Sequence, residues 1–235
     1  NGGTGGYRTA LQVLPESKTV RVILINNTAL PPETLYAALD PAAKPRQRVE
    51  QPLAKEKIAE YTGIFELSPE AAFTLIERDG ELWSRLTGQP FFRLFYSGSD
   101  RFFLRVVPAE MQFERSGGAI TSVTLFQNGR ELRAAKAQKP PPKLLFRPAA
   151  ELEPFTGRYE LAPGRVFTVS INASTLFIEL TGQPALPVFE TRPGHFEYDT
   201  VDAAVEFATD DTGAVIALVL HQNGVHIAPR QTEKP

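Results

Sequence analysis

The sequence predicts a mainly β chain: two tandem small antiparallel up-and-down β-barrels of about eight strands each, preceded by a β-hairpin and a short helix. Three observations predict it. The chain duplicates itself, because "LTGQP" at residues 86–90 returns at 180–184, and "YTGIFELSPEAAFTL" aligns without a gap over "FTGRYELAPGRVFTV", so that Gly63 pairs with Gly157, Pro69 with Pro163 and Phe73 with Phe167. Within each copy apolar and polar residues alternate, as at Phe73 and Leu75 or at Phe167, Val169 and Ile171; that period of two marks a half-buried strand. Finally, Asp79-Gly80, Asn128-Gly129 and Asn223-Gly224 are two-residue hairpin turns of the kind that needs positive φ.

The elements follow in order. "YRTALQVLP" and "TVRVILINN" read as a strand pair turning near Pro15 to Lys18, and "PPETLYAAL" as a helix with prolines at its start and Glu33 in its first turn, so residues 1–40 form one piece. Residues 41–57, rich in Pro, Ala and charge, are a linker. The first barrel occupies 58–138, from "YTGIFEL" through "RELRAAK", with nothing helical between its strands. "KPPPK" opens a second linker, 139–150, whose prolines favour an extended spacer. The second barrel follows at 151–232. Closing an antiparallel meander into a barrel removes its edges, which is why a closed form is expected over an open sheet.

Strand β-pattern at the N-terminus raises a separate problem. Val20, Val22 and Leu24 fall on one face and Ile23 and Ile25 on the other, the pattern of a strand covered on both sides. Two strands and a short helix cannot bury a core alone. The expectation is that in isolation this hairpin pairs with a second copy of the chain or packs on a barrel.

Composition narrows the function classes. Across 235 residues, 25 Lys and Arg stand against 27 Asp and Glu, a formal net charge of -2; such a balance offers no electrostatic excess for nucleic acid, which is set aside as a partner. There is no cysteine, hence no disulfide, thiolate catalysis or Cys-ligated metal. No apolar run reaches the length of a membrane helix, so no membrane span is expected. A chain that starts at Asn1 is read as processed or as a fragment.

The sequence carries few signatures of catalytic chemistry. No serine has a lysine three residues later, no Gly-x-Ser-x-Gly is present, and no tyrosine has an asparagine two residues on, so nucleophile and base are missing from this chain. His195, His221 and His226 read as surface or turn residues, with no metal and no cofactor expected. Asp210-Asp211 and Glu66/Glu70 read as solvated turn carboxylates. The cluster Phe91, Phe92, Phe95, Phe102 and Phe103 reads as barrel core, and the recurring "LTGQP" as a turn repeated for its backbone geometry. The opening "NGGTGGYRTALQVLP" leads into a strand and lacks the Gly-Lys-Ser/Thr of a phosphate loop.

That opening stretch, "NGGTGGYRTALQVLPESKTVRVILINNTA", resembles the end of a class C beta-lactamase-like serine hydrolase of the penicillin-binding-protein fold, where a His-x-Gly-Gly-Thr-Gly-Gly strand supplies the third active-site motif. The resemblance implies that Asn1 and Gly2 complete the motif, that the amide of Gly3 is an oxyanion-hole donor, and that residues 1–40 are the last hairpin and helix of a truncated α/β catalytic domain. The two repeats resemble the lipocalin-like domain of unknown function often appended to such hydrolases, with its "Y/F-x-G-x-Y/F-x-L", "L-T-G-Q-P" and "Q-N-G" signatures. The implied parent is a periplasmic or secreted hydrolase of amides, esters or D-amino-acid peptides, whose barrels modulate substrate access or oligomerisation. Its Ser-x-x-Lys and Tyr-x-Asn/Ser motifs are not in this chain, which is therefore expected to be inactive alone, with the upstream catalytic segment of the same protein as its partner. The alternative is a non-catalytic barrel module that holds a small apolar or cell-wall-derived ligand.

Overall fold

The computed structural model describes residues 2–4, 7–26, 32–36, 48–127, 129–172 and 174–231. The N-terminal sheet has the order β1 (Gly2–Thr4), β2 (Tyr7–Leu14), β3 (Thr19–Ile25). Its turn falls at Pro15 to Lys18, where Lys18 takes φ 50° and its N–H donates to the Pro15 carbonyl at 3.2 Å. The register sets Leu11 opposite Val22 and Val13 opposite Val20. That face stands open, with Leu11 61% and Leu24 74% exposed, whereas Ala10 and Ile23 on the other face are buried. The expected helix is represented by a 3-10 turn over Pro32–Leu35; the rest of that expectation, from residue 37, lies outside the described residues.

The first barrel is closed: β4 (Gly63–Ser68), β5 (Ala71–Arg78), β6 (Glu81–Leu86), β7 (Phe92–Gly98), β8 (Arg101–Phe103), β9 (Ala109–Ser116), β10 (Ala119–Gln127) and β11 (Arg130–Lys136) follow in meander order, and β11 returns to pair with β4. The second is the same meander: β12 (Gly157–Ala162), β13 (Arg165–Asn172), β14 (Thr175–Leu180), β15 (Leu186–Arg192), β16 (His195–Glu197), β17 (Ala204–Thr209), β18 (Val215–His221) and β19 (Val225–Pro229). It is nearly closed, its ends meeting through a single bridge between Tyr159 and Arg230 and a bond from the Gln231 N–H to the Arg158 carbonyl. Alternation fills the interiors: Phe65, Leu75, Phe102, Met111 and Val123 are fully buried in the first, and Tyr159, Leu176, Phe196, Val205 and Leu218 in the second. Asp79-Gly80 forms the expected turn with both φ positive, 56° and 75°.

A short helix that the sequence reading did not anticipate enters each barrel. Helix α1 (Lys55–Tyr61) begins inside the stretch read as linker, and α2 (Ala149–Leu152), continued by a 3-10 turn at Glu153–Phe155, does the same before the second barrel. Each plugs one barrel end with an aromatic side chain. The Tyr61 ring packs edge-on against Phe113, and Phe155 meets Phe196 and Phe207. Neither helix start has a side-chain cap, but both ends are tied down alike. Thr62 donates its hydroxyl to the Ala59 carbonyl at 2.8 Å, and Thr156 to Glu153 at 2.8 Å.

The glycine of the repeated Thr-Gly then admits a cation from the last strand. Lys136 sits opposite Phe65 in the register and Arg230 opposite Tyr159. Their charged ends lie over those rings, 5.6 and 5.8 Å from the centroids, and reach carbonyls left open at the helix ends: Lys136 Nζ to Glu60, Arg230 to Pro154 and Thr156. A β-carbon on Gly63 would lie 2.8 Å from Lys136 Cε, and one on Gly157 3.3 Å from Arg230 Nε and Nη2. Gly157 also holds φ +137°, where an L side chain is strained. Gly157→Ala is therefore expected to destabilise the protein by about 1–3 kcal/mol, read as a lower urea midpoint with an unchanged slope; an unaltered midpoint would show that the closing cation does not need the space.

Candidate functional site

The glycines assigned to an oxyanion-bearing motif occupy the edge strand of the N-terminal sheet. Gly2 pairs with Thr9 and Gly3 with Arg8, both glycines being exposed; Asn1 lies outside the described residues. A side chain at Gly3 would lie nearest the Tyr7 carbonyl and Arg8 Cγ, and one at Gly2 nearest the Thr9 hydroxyl.

Other residues singled out in the sequence take structural places. The Asp210 carboxylate accepts from the Thr212 hydroxyl and from the Thr212 and Ala214 N–H groups, bonds that hold it below the usual carboxylate range. Glu66 pairs with Lys139 at 3.2 Å, and Glu70 accepts from the Ser68 hydroxyl. The aromatic cluster is not a single interior core. Phe102 and Phe103, adjacent in β8, necessarily take opposite faces: Phe102 pairs across to Met111, while Phe103 stacks on Phe95 beneath the Arg105 guanidinium. Phe91 leaves that group altogether and packs edge-on against Phe189 of the second barrel.

"LTGQP" is a turn fastened by its threonine. The Thr87 hydroxyl accepts from the Ala72 N–H and donates to the Ala72 carbonyl, and Thr181 repeats both bonds with Val166. Gly88 and Gly182 hold φ of 78° and 82°. Among the described residues the first copy alone shows a further contact, the Gly88 N–H donating to both carboxylate oxygens of Asp199, at 3.2 and 3.1 Å. Asp199 also pairs with Arg85, a residue of β6 that is 6% exposed and lies 4.2 Å from the Phe189 ring centroid. Burial pulls the Arg85 guanidinium down to about 10. Ile76, Trp83 and Leu144 complete this apolar surround.

The largest concavity described opens at one end of the second barrel. It has a volume of about 730 Å³ and is lined by the four loops and strand ends opposite the helix plug. Its wall is apolar, built by inward strand positions such as Phe167, Ile178, Leu180 and Leu220. Its rim is polar, with Arg165, Tyr198, Gln222 and His226, and no carboxylate lines it.

A third arrangement lies on β16, β17 and β18. His195 stands directly opposite Glu206, and His221 is two residues on from Val219, the partner of Glu206 in the next strand. His195 Nδ1 lies 2.7 Å from Glu206 Oε1, and His221 Nε2 lies 3.4 Å from Oε2. Arg192 Nη2 and Glu197 Oε1 adjoin the buried His195 at 3.1 and 3.4 Å. The sequence reading paired His221 with His226 and treated all three histidines as isolated surface groups, so it missed this row. The bond from His195 chiefly holds the Glu206 carboxyl below its ordinary value, and His221 adds to it. Among the described residues no group of three or more His, Cys, Asp or Glu is placed to hold a metal ion, and no helix is long and apolar enough to cross a membrane.

Comparison with known families matches one domain twice, at residues 47–137 and 142–233, described as a domain of unknown function, DUF3471. The chain belongs to the DUF3471 family. Each DUF3471 copy thus takes in an entry helix together with its eight-stranded barrel, and the His195, Glu206 and His221 row and the open cavity are both carried by the second copy. No curated protein matches the chain.

Two expectations follow for the DUF3471 pair. Asp199→Ala leaves the Arg85 cation buried without its counter-charge, a change that costs about 3–5 kcal/mol; Arg85→Met with Asp199→Ala recovers most of the loss. Denaturation curves of the three proteins decide this, and a double variant no more stable than Asp199→Ala alone contradicts it. For Glu206, a folded-state value below the unfolded one means stabilisation that is complete above the unfolded carboxylate range and lost as pH falls through the folded value. The urea midpoint of the wild type is expected to exceed that of Glu206→Gln at pH 6 and to converge on it toward pH 3, whereas a gap that widens on acidification has the wrong sign.

Proposed function

We propose that this chain is the C-terminal part of a beta-lactamase-like serine hydrolase, in which a terminal catalytic-domain hairpin precedes two DUF3471 barrels. The observation that carries the reading is the N-terminal sheet. It buries Ala10 and Ile23 on one face yet leaves Leu11, Val13, Val20, Val22 and Leu24 exposed on the other, and contiguous exposed apolar surface of this kind marks an interaction site. An upstream segment of the same polypeptide supplies the cover.

The edge position of β1 supports the same reading. Among the described residues its outer side has no strand partner, and N–H groups on such an edge can serve another chain or a substrate oxygen. Gly2 and Gly3 carry no side chain to obstruct that approach. In the intact protein the nucleophile and base lie upstream, the substrate is an amide, ester or D-amino-acid peptide, and the barrels modulate access or hold subunits together. The protein is exported to the periplasm or beyond.

The test compares the chain alone with the chain joined to its upstream segment, against chromogenic β-lactams, p-nitrophenyl esters and D-alanyl peptides. The expected outcome is no turnover above background for the chain alone and turnover when the segment is restored, with light scattering showing the isolated chain self-associating through its open sheet face. Turnover by the rigorously purified chain alone, or an inert extended protein, overturns the reading.

A further inference from the structure

We infer that the open end of the second barrel is a binding site for an amphiphile with an apolar chain and an anionic head, such as a medium-chain carboxylate. The inference is independent of the hydrolase reading, since it needs neither nucleophile nor upstream segment. It begins with the alternation of an antiparallel barrel, in which every second side chain points inward. In the second barrel the inward residues near the helix plug are large and close-packed: Phe155, Phe196, Phe207 and Tyr159 form contiguous edge-on and tilted ring contacts. Toward the opposite end they give way to the cavity of about 730 Å³. That volume lies within the roughly 300–1,000 Å³ typical of small-molecule sites.

The polarity of the cup is graded. Phe167, Ile178, Leu180 and Leu220 line its wall, so an aliphatic chain entering there loses its water contact against apolar surface, with a gain of about 0.8 kcal/mol per buried methylene. Several polar side chains of the lining are unengaged, Arg165 and Tyr198 among them. Among the described residues, neither the Arg165 guanidinium nor the Tyr198 hydroxyl takes part in a hydrogen bond or ion pair; Arg165 is exposed and Tyr198 half-buried. The Tyr198 hydroxyl keeps contact with solvent at the mouth of the cup, where it is free to donate to an entering group. Arg165 is the one arginine in the lining and no Asp or Glu shares it, so the rim attracts an anion and repels a cation. A carboxylate accepts from the Arg165 guanidinium, and charge-assisted bonds of that kind are the stronger sort.

The rim is also held in place before any ligand arrives. The loop carrying Tyr198, Val201 and Ala203 is fixed at Asp199 by Arg85 and the Gly88 N–H, and Thr200 lies against Gly88. A preformed rim reduces the ordering cost of binding.

The test is a titration of the purified chain with dodecanoate and with 1-dodecanol below their aggregation limits, followed by calorimetry and by backbone amide shifts. Saturable binding of dodecanoate is expected, with shifts confined to residues of the second barrel's open end. Arg165→Gln, on an exposed side chain, is expected to weaken dodecanoate about tenfold and to leave 1-dodecanol unchanged. A second variant, Ala203→Leu, is expected to weaken both ligands by filling the cup, and its amide spectrum shows directly whether it folds. Absence of saturable binding to the wild type overturns the proposal, as does an equal loss for acid and alcohol in Arg165→Gln, or shifts that map to the first barrel.

Discussion

The closing seam of each barrel depends on one cation laid across one glycine. An eight-stranded meander gains nothing from its length unless its first and last strands meet, since otherwise two rows of backbone groups stay open. Here Lys136 and Arg230 do three things at that seam. They cover the faces of Phe65 and Tyr159, they satisfy carbonyls at the ends of the entry helices, and they occupy the volume a β-carbon would take on Gly63 and Gly157. The Thr-Gly-x-aromatic signature is therefore a single device: threonine ends the helix, glycine makes room, and the aromatic ring receives the charge. Burial draws the Lys136 ammonium below its usual value, the expected sign for a cation half-removed from water.

Duplication preserved that device and let the outer surfaces diverge. Thr87 and Thr181 make the same pair of bonds to Ala72 and Val166, yet the residue two places before each threonine is Arg85 in one copy and the exposed Glu179 in the other. A strand position that faces solvent in the second barrel faces Phe189 and Asp199 in the first. Backbone geometry explains why both turns keep glycine; close approach explains it only for Gly88, because nothing lies within 4 Å of a side chain placed on Gly182. The same five letters thus serve one purpose twice and a second purpose once.

What was legible in the sequence followed from local rules. Alternation, the hairpin turns and the duplication each act within a few residues or by direct repetition, and they were enough for two barrels of eight strands. The entry helices escaped notice because they are one or two turns long, lack side-chain caps and bury only Ile58, Tyr61 and Leu152, too few positions to establish a period. The His195, Glu206 and His221 row escaped for a different reason. Those residues come from three strands, and their meeting is decided by cross-strand register, which a one-residue slip would abolish. The phenylalanine cluster was legible as core, since Phe91, Phe95, Phe102 and Phe103 are all buried; its division was not, because residues 102 and 103 cannot share a strand face. The glycine stretch was read as leading into a strand, whereas Gly2–Thr4 form a strand of their own at the edge of the sheet, a pairing that local pattern does not reveal.

The two barrels divide labour in a way neither could manage alone. A small barrel that packs its own interior solidly is stable but offers no space, whereas one left open at an end gives up contacts along its rim and must recover them elsewhere. In the second barrel the loop from Tyr198 to Ala203 forms part of that open rim, and its anchor is external: Asp199 is held by Arg85 and Gly88 of the first copy, within an apolar surround from Ile76, Trp83, Phe91 and Phe189. Desolvating Arg85 is costly in isolation and is offset only because the carboxylate, the amide and two aromatic rings converge on the same point. The first copy therefore braces the second at its open rim, where the second has fewest contacts of its own.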